Sequence, residues 1–513
     1  MKTLPYLHKT GNLTTLYVDE APYVALAGEI HNSSSSNLTY MRDKVWPQLR
    51  GLHLNTVIAP VFWELVEPAP GEFDFTLVTG LIEQARVENV RLVLLWFGLW
   101  KNGLSTYVPG WVKKDYTTYF KARFAGNTAS ESISPFCEAA VQADANAFQQ
   151  LMYHLKKIDE NQHTVIMVQV ENEIGFLDSE RDFSEAANQE FIKLVPANIA
   201  EAFGKTGTWS DVFGEDASEY FMAYHYATAV ELITKAGTEA YALPMFVNAW
   251  LEQFPERAGS YPSGGPIAKV MKMWQLAAPT ICLYAPDIYL PSFKEICEEY
   301  TQDGNPLFIP EARRDLVSAT NVFYAIGKHN ALCFSPFGIE DFLADPQDEA
   351  VDLSILTALN IEQSGFILNG TGPYLAQSYK LLSSMMGIIH RYRGTGKMTG
   401  FLQSRDKGCL LAFTKYDLKI TYLPAEEGKP IGGGLIIETS ENEFILAGIG
   451  FSADFLPKRG EQLQVGYVRI EEGSFDQEAW TRGRVLNGDE GAYGGIKIGR
   501  NPHALCVEVY KYF

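Results

Sequence analysis

The chain has 513 residues, 46% of them apolar, with 42 Lys plus Arg against 62 Asp plus Glu and a formal charge of −20. That composition supports a large buried core and excludes a mainly disordered chain. The acidic excess repels phosphate backbones and anionic lipid, so neither a nucleic-acid nor a membrane partner is expected.

The first residues, MKTLPYLHKTGNLTTLYVDE, contain no continuous apolar segment. A signal peptide is therefore not expected, and a cytoplasmic location is the default, with a secreted or periplasmic one the alternative had a signal been removed. The longest apolar runs, such as Val165–Val170 and Val93–Trp96, fall far short of the roughly 20 residues needed to span a bilayer. Cys137, Cys282, Cys297, Cys333, Cys409 and Cys506 are widely spaced and form no CxxC pair. They read as free thiols rather than a disulfide framework.

From Tyr23 onward, short runs of Val, Ile and Leu alternate with longer segments of helical periodicity. The runs predict eight strands: Val24–Ile30, Thr56–Phe62, Arg91–Phe97, Thr164–Val170, Pro244–Ala249, Thr280–Pro286, Pro306–Pro310 and Ala331–Ser335. Most are continuously apolar, as parallel strands covered on both faces must be. Between and after them, helices are expected over Leu38–Arg50, Phe75–Val87, Ala145–Ile158, Ser218–Ala236, Ile267–Leu276, Pro291–Glu299, Thr320–His329, Leu353–Leu359 and Pro373–Arg391. Eight such units are what closes a TIM barrel. Long excursions over residues 100–143 and 176–213 follow the third and fourth strands, on the face where such barrels place their chemistry.

After His390 the basic, Gly-rich RYRGTGKMTG gives way to alternating strand patterns from Cys409 to Tyr510. The expected fold is thus α/β: a (β/α)8 TIM barrel with an N-terminal lead-in over residues 1–391, a linker over 392–399, and a smaller all-β sandwich or barrel over 400–513.

Two strand ends carry acid groups. The fourth strand reads HTVIMVQVENEIG and delivers Gln169, Glu171, Asn172 and Glu173 where it should stop, while the seventh reads NPLFIPEARRD and ends in Glu311 beside Arg313 and Arg314. Taken singly, the first cluster reads rather as a helix cap and the second as a surface ion pair, which is worth little. Two carboxyls on opposite sides of one barrel mouth suit glycoside hydrolysis, where one acid protonates the leaving oxygen and the other attacks the anomeric carbon. Arg313 is expected to keep Glu311 anionic, and that anion to keep the proton on Glu173.

At these residues the chain resembles a known family. QVENEIG, Gln169–Gly175, is similar to the QVENEYG motif of glycoside hydrolase family 35, the β-galactosidase family within clan A of retaining (β/α)8 enzymes. AGEIH at Ala27–His31 is similar to its first-strand motif, and WELVEPAPGEFDF at Trp63–Phe75 resembles WNxHEPxPGxYxF. Together the motifs cover roughly residues 22–391, and the arrangement resembles a divergent bacterial subgroup that adds a small C-terminal β-domain. The resemblance implies Glu173 as acid/base, Glu311 as nucleophile, Asn172 as donor to the sugar 2-hydroxyl and Tyr289 as the partner of the nucleophile, with Tyr284 close by.

The chain also departs from that pattern. Pro60 replaces the family's second-strand Tyr, and Lys101 and Asn102 replace its acidic motif after the third strand. Both positions contact the galactose ring in the family. Trp63 and Trp100 lie near predicted strand ends and are candidates for stacking on a sugar, with core packing the alternative for either. His31 and Lys101 are candidate hydroxyl-binding groups, a purely structural His31 being equally open.

The expected function is a retaining exo-glycosidase that releases terminal β-linked galactose from oligosaccharides or polysaccharide side chains. A β-glycosidase of another sugar (glucoside, xyloside or α-L-arabinoside) and a non-catalytic carbohydrate-binding barrel are the alternatives. No HExxH, metal-spaced Cys/His cluster or phosphate loop occurs, so no metal or cofactor is expected. A carbohydrate is the expected partner, and self-association into a homo-oligomer stays open.

Overall fold

Eight strands buried on both faces pair in parallel around a common axis: β1 (Ala25–Glu29), β2 (Thr56–Phe62), β3 (Arg91–Lys101), β4 (Val165–Asn172), β5 (Met245–Trp250), β6 (Tyr284–Asp287), β7 (Phe308–Ala312) and β8 (Cys333–Pro336). Their order is β6-β5-β4-β3-β2-β1-β8-β7. The ring closes between β6 and β7, where Ile288 N–H donates to Glu311 O at 2.9 Å and Arg313 N–H to Ile288 O at 3.1 Å. This computed structural model describes residues 3–344, 363–476, 478–486, 488–491 and 495–513. The helix expected over Leu353–Leu359 lies outside the described residues.

Side-chain alternation along the strands sorts the core into two shells. Ala25 and Ala27 of β1, Ile58 of β2, Val93, Leu95 and Phe97 of β3, Phe246 of β5 and Phe308 of β7 fill the barrel interior. Their neighbours Leu26, Val57, Leu94 and Val247 pack outward against the helices. One group of strands was not foreseen: Tyr6–Thr10, Leu13–Val18 and Ala21–Tyr23 form an antiparallel sheet whose Leu16 and Val18 join the interior cluster.

Among the helices are α1 (Glu138–Asp159), α2 (Ala217–Ala240) and α3 (Ser318–His329). The two excursions carry their own short elements, including the strand pair Lys121–Arg123 and Ala129–Ile133 and the helices Glu185–Phe191 and Ala197–Phe203.

The C-terminal region is a two-sheet sandwich. A six-stranded antiparallel sheet begins with Met398–Leu402, Gly433–Glu438 and Glu443–Ile449, and a four-stranded one includes Tyr416–Tyr422 and Phe451–Pro457. The first strand starts at Met398, inside the segment read as linker, because its backbone pairs with Gly433–Ile437. The strands Gly433–Glu438 and Glu443–Ile449 of the six-stranded sheet are covered on both faces. Ile436, Phe444 and Leu446 fill the sandwich, while the alternate residues Leu435, Ile437, Ile445 and Ala447 join the barrel's core beside α3. Helix and sheet approach so closely that a Cβ on Gly327 would lie 2.7 Å from Leu435 Cβ and 2.9 Å from Gly400 Cα.

Candidate active site

The last turn of β4 is where the barrel departs from regular geometry. Glu171 and Glu173 adopt φ of +63° and +46°, the left-handed region that costs non-glycine residues energy and persists only when surroundings enforce it. Here the surroundings do so through the peptide groups. Gln169 Nε2 donates to Glu171 O at 3.0 Å, Asn102 N–H to Asn172 O at 3.1 Å, and Gly103 N–H to Glu173 O at 3.1 Å. Asn248, at the end of β5, accepts from Glu173 N–H at 2.9 Å. The zigzag sends Glu171 outward toward α1 and leaves Asn172 and Glu173 at the mouth.

Around the mouth the side chains form one continuous network. Glu311 accepts from the Tyr289 hydroxyl at 2.6 Å on one oxygen and from Asn172 Nδ2 at 3.3 Å on the other. Tyr289 is held by a ring stacked on Phe366 at 4.5 Å. Lys101 Nζ donates to Asn172 Oδ1 at 2.8 Å. Glu173 and Glu311 are each nearly buried, at 6% and 5% exposure. Burial first, and the Glu311 charge second, push the Glu173 carboxyl up to about 8, against the opposing fields of Lys101 and a hydrogen bond with Asp287.

The residues expected from the sequence fare differently. Glu173, Glu311, Asn172, Tyr289 and Lys101 come together as described. Arg313 does not join them: its guanidinium makes a two-pronged pair with Asp315, at 2.8 and 2.7 Å, so Glu311 is served by Tyr289 and Asn172 rather than by an arginine. Asn102 takes part through its backbone, at φ +52°.

Trp63 and Trp100 are corrections. Both are wholly buried in the barrel wall. Trp63 donates to Glu67 at 2.8 Å and packs edge-on against Trp111, while Trp100 donates to Ile133 O at 3.0 Å and packs on Tyr226. Each indole is used up by outward packing, because its position on the strand or turn faces the helices, so neither offers a ring face to a sugar. His31 sits on the rim. Its Nε2 pairs with Asp341 at 2.7 Å, and its backbone N–H donates to Glu340 at 3.0 Å. Burial disfavours the charged ring, yet the Asp341 bond and the Glu340 and Asp341 fields prevail and raise its pKa.

Four residues at the site escaped the sequence reading. Asn248 bridges Glu173 N–H to Asp287, donating to the latter at 2.7 Å. Asp287 is buried, and burial followed by the Glu311 and Glu173 charges raises its carboxyl well above the usual range. Glu29 follows Ala25 and Ala27 in the inward-facing row of β1, is fully buried, and is raised by burial and then by Glu311. Glu340 holds the chain after β1 through His31 and Ser34. The available signal for Glu29, Asn248 and Asp287 was a polar residue at an inward position near the C-terminal end of an apolar strand.

Residues 15–250 match the model of glycosyl hydrolases family 35, and residues 375–496 match a domain of unknown function, DUF5597. A β-galactosidase of Xanthomonas manihotis is 31% identical over 166 residues, which are 31% of this chain and 25% of that protein. The match thus spans about a quarter of the curated relative's length. Among solved structures, β-galactosidases from Bacillus circulans sp. alkalophilus and from the psychrophilic Marinomonas ef1 align over 70% of this chain and 56% and 59% of theirs, at 14% and 12% identity and TM-scores of 0.48 and 0.46. The stretch over residues 15–250, which carries the first five barrel strands, is thus similar to glycosyl hydrolases family 35.

Proposed function

We propose that the protein is a retaining exo-glycosidase acting on terminal β-linked galactose, with Glu173 as acid/base and Glu311 as nucleophile. The observation that carries this reading is the contrast between two neighbouring carboxyls. Glu173 is pushed up to about 8 and keeps its proton at neutral pH, whereas Glu311 accepts a hydrogen bond on each oxygen. One acid and one acceptor at a barrel mouth are what glycoside cleavage requires.

In the first step a Glu311 oxygen bonds to the anomeric carbon as the glycosidic C–O bond breaks, and the Glu173 proton passes to the departing oxygen. The products are a glycosyl ester on Glu311 and a free alcohol. In the second step Glu173, now a carboxylate, takes a proton from water as the water oxygen bonds to the anomeric carbon and Glu311 leaves. Two inversions give net retention. Asn172, oriented by Lys101, donates to the sugar 2-hydroxyl in this scheme. The galactose assignment rests on the named relative and on the family, and the replaced contacts at Pro60, Lys101 and Asn102 favour a less selective pocket.

The test is hydrolysis of a panel of aryl β-galactosides, β-glucosides, β-xylosides and α-L-arabinosides, with the first-formed anomer read by proton NMR. Turnover of the β-galactoside with β-galactose appearing first is expected. Initial α-product would contradict retention. Turnover confined to another glycoside would remove the galactose assignment and keep the mechanism, and the absence of hydrolysis across the panel would favour the binding-barrel alternative.

A further inference from the structure

Two buried acids lie behind the site and take no part in the chemistry proposed above. Asp144 projects from α1 and Glu171 from the end of β4, and both are completely buried. They face the one irregular stretch of β3. Trp96 pairs with Val170 and Lys101 with Asn172, so β3 spends four intervening residues where β4 spends one. Such a bulge re-aims the strand's last side chains and strips backbone N–H groups of their ladder partners.

The two carboxyls supply those partners. Leu99 N–H lies 2.9 Å from Asp144 Oδ2 and 3.2 Å from Glu171 Oε1, and Trp100 N–H donates to Glu171 Oε2 at 2.7 Å. Asp144 Oδ1 also accepts from the Trp96 indole at 2.7 Å. Gly98 is where the chain slides beneath them: a Cβ there would sit 2.5 Å from Asp144 Oδ2 and 2.6 Å from Glu171 Oε1. Two carboxyls converging on one N–H cannot both ionise in a dry interior, so they hold one proton between them.

We propose that Asp144 and Glu171 form a proton-sharing pair, with the proton on Glu171, that shapes the β3 bulge and thereby positions Lys101 against Asn172 and Asn172 against Glu311. The donor pattern assigns the proton. Asp144 is surrounded by donors, the indole, the Leu99 N–H and the Glu171 hydroxyl, and so serves as the ionised acceptor. Glu171 is the better acid to remain neutral, since burial and then the Asp144 charge raise it well above the usual range. Glu67 is the other charged group acting on Asp144, and it is occupied by the Trp63 indole and Gly71 N–H. Asp144 and Glu171 touch no reacting atom here: they are positioning residues. Their role in catalysis rests on the glycosidase reading, whereas the shared proton does not.

The assignment makes the two conservative substitutions unequal. In Glu171→Gln the amide NH2 replaces the acid O–H as donor to Asp144, and the amide oxygen still accepts from Trp100. In Asp144→Asn an NH2 group is forced against N–H donors. With an aryl β-galactoside, Asp144→Asn is expected to lower kcat tenfold or more with KM changed less than threefold. Glu171→Gln is expected to cost no more than a few-fold in kcat.

A measurement independent of activity accompanies this. Denaturant midpoints of the wild-type protein should fall as pH rises above the unfolded glutamate value of about 4.3, where the unfolded chain gives up the proton that the folded pair keeps, and Glu171→Gln should fall by less. Equal damage from the two substitutions, an Asp144→Asn effect confined to stability with kcat intact, or identical pH dependence of wild type and Glu171→Gln would overturn the proposal. Should the wild-type protein hydrolyse no glycoside, the glycosidase reading fails while the denaturant comparison still decides whether the proton is shared. The same comparison decides the matter if Asp144→Asn does not fold.

Discussion

Lys101 donates to Asn172 Oδ1 at 2.8 Å, which turns the amide NH2 of Asn172 toward Glu311, 3.3 Å away. The orientation of that amide is therefore set by a cation where the family pattern has an acid. Replacing Lys101 by Met should release the amide. A charged donor to a buried acceptor is worth about 1.5–3 kcal/mol, so kcat/KM should fall by about 10- to 100-fold. A loss below about twofold would show that Asn172 is oriented without it. Because the Lys101 charge lowers the Glu173 pKa, the same variant should shift the alkaline limb of the pH–rate profile upward.

Glu173 sets a second expectation. The kcat/KM profile should decline on its alkaline side near pH 8, as the free enzyme loses the catalytic proton. Replacing Glu173 by Ala should remove that limb and lower turnover of alkyl glycosides by about 10²- to 10⁴-fold, with aryl glycosides of acidic phenols affected much less. Azide added to this variant should yield the β-glycosyl azide. Recovery of the α-azide would contradict the assigned roles.

Stability should respond to the same proton. A glutamate near pKa 4.3 when unfolded and about 8 when folded keeps its proton preferentially in the native state. Its contribution is full below the unfolded value and is lost as pH rises toward about 8. Thermal midpoints should therefore decline between pH 5 and pH 8, and Glu173→Gln, which cannot ionise, should flatten part of that decline. An unchanged slope in Glu173→Gln would mean that the burial of Glu173 is not coupled to folding.

The sandwich should be inseparable from the barrel. Gly327 of α3 has Leu435 Cβ at 2.7 Å and Gly400 Cα at 2.9 Å from its would-be Cβ. Gly327→Val overpacks that contact, with an expected cost of about 1–3 kcal/mol in denaturant unfolding. Gly110→Ala, with no atom within 4 Å of the new Cβ, serves as control and should stay within about 0.5 kcal/mol. Equal midpoints for the two variants would show that the sheet does not brace α3.

Selectivity should be loose at the galactose 4-hydroxyl. Pro60 has no side-chain hydrogen-bonding group, Lys101 is engaged by Asn172, and Asn102 is used through its backbone. A site that merely lacks a partner for a hydroxyl discriminates weakly, whereas one that strands its own buried polar group discriminates by orders of magnitude. Aryl β-D-fucosides and α-L-arabinosides should therefore be hydrolysed at measurable rates beside the β-galactoside. A galactoside preference above about 10⁴-fold would locate unrecognised polar contacts in the pocket.

The amino-acid sequence by itself determined the barrel, because each strand needs only a local run of apolar residues covered on both faces, and Thr56–Phe62 begins and ends where its pattern does. It also marked Glu173 and Glu311, since an acid directly after an apolar run announces a strand end. What lies between strands was decided by tertiary structure. Asn172 and Glu311 are 139 residues apart, and their contact depends on the β3 bulge, the left-handed backbone at Glu171 and Glu173, and the ring closure between β6 and β7. The same holds for the errors. Arg313 stands two residues from Glu311 in the chain yet turns to Asp315, and Trp100 stands beside Lys101 yet points into the wall. Local pattern sets where a strand ends; which way its last side chains face is set by the partners that satisfy their polar atoms, and those partners come from distant parts of the chain.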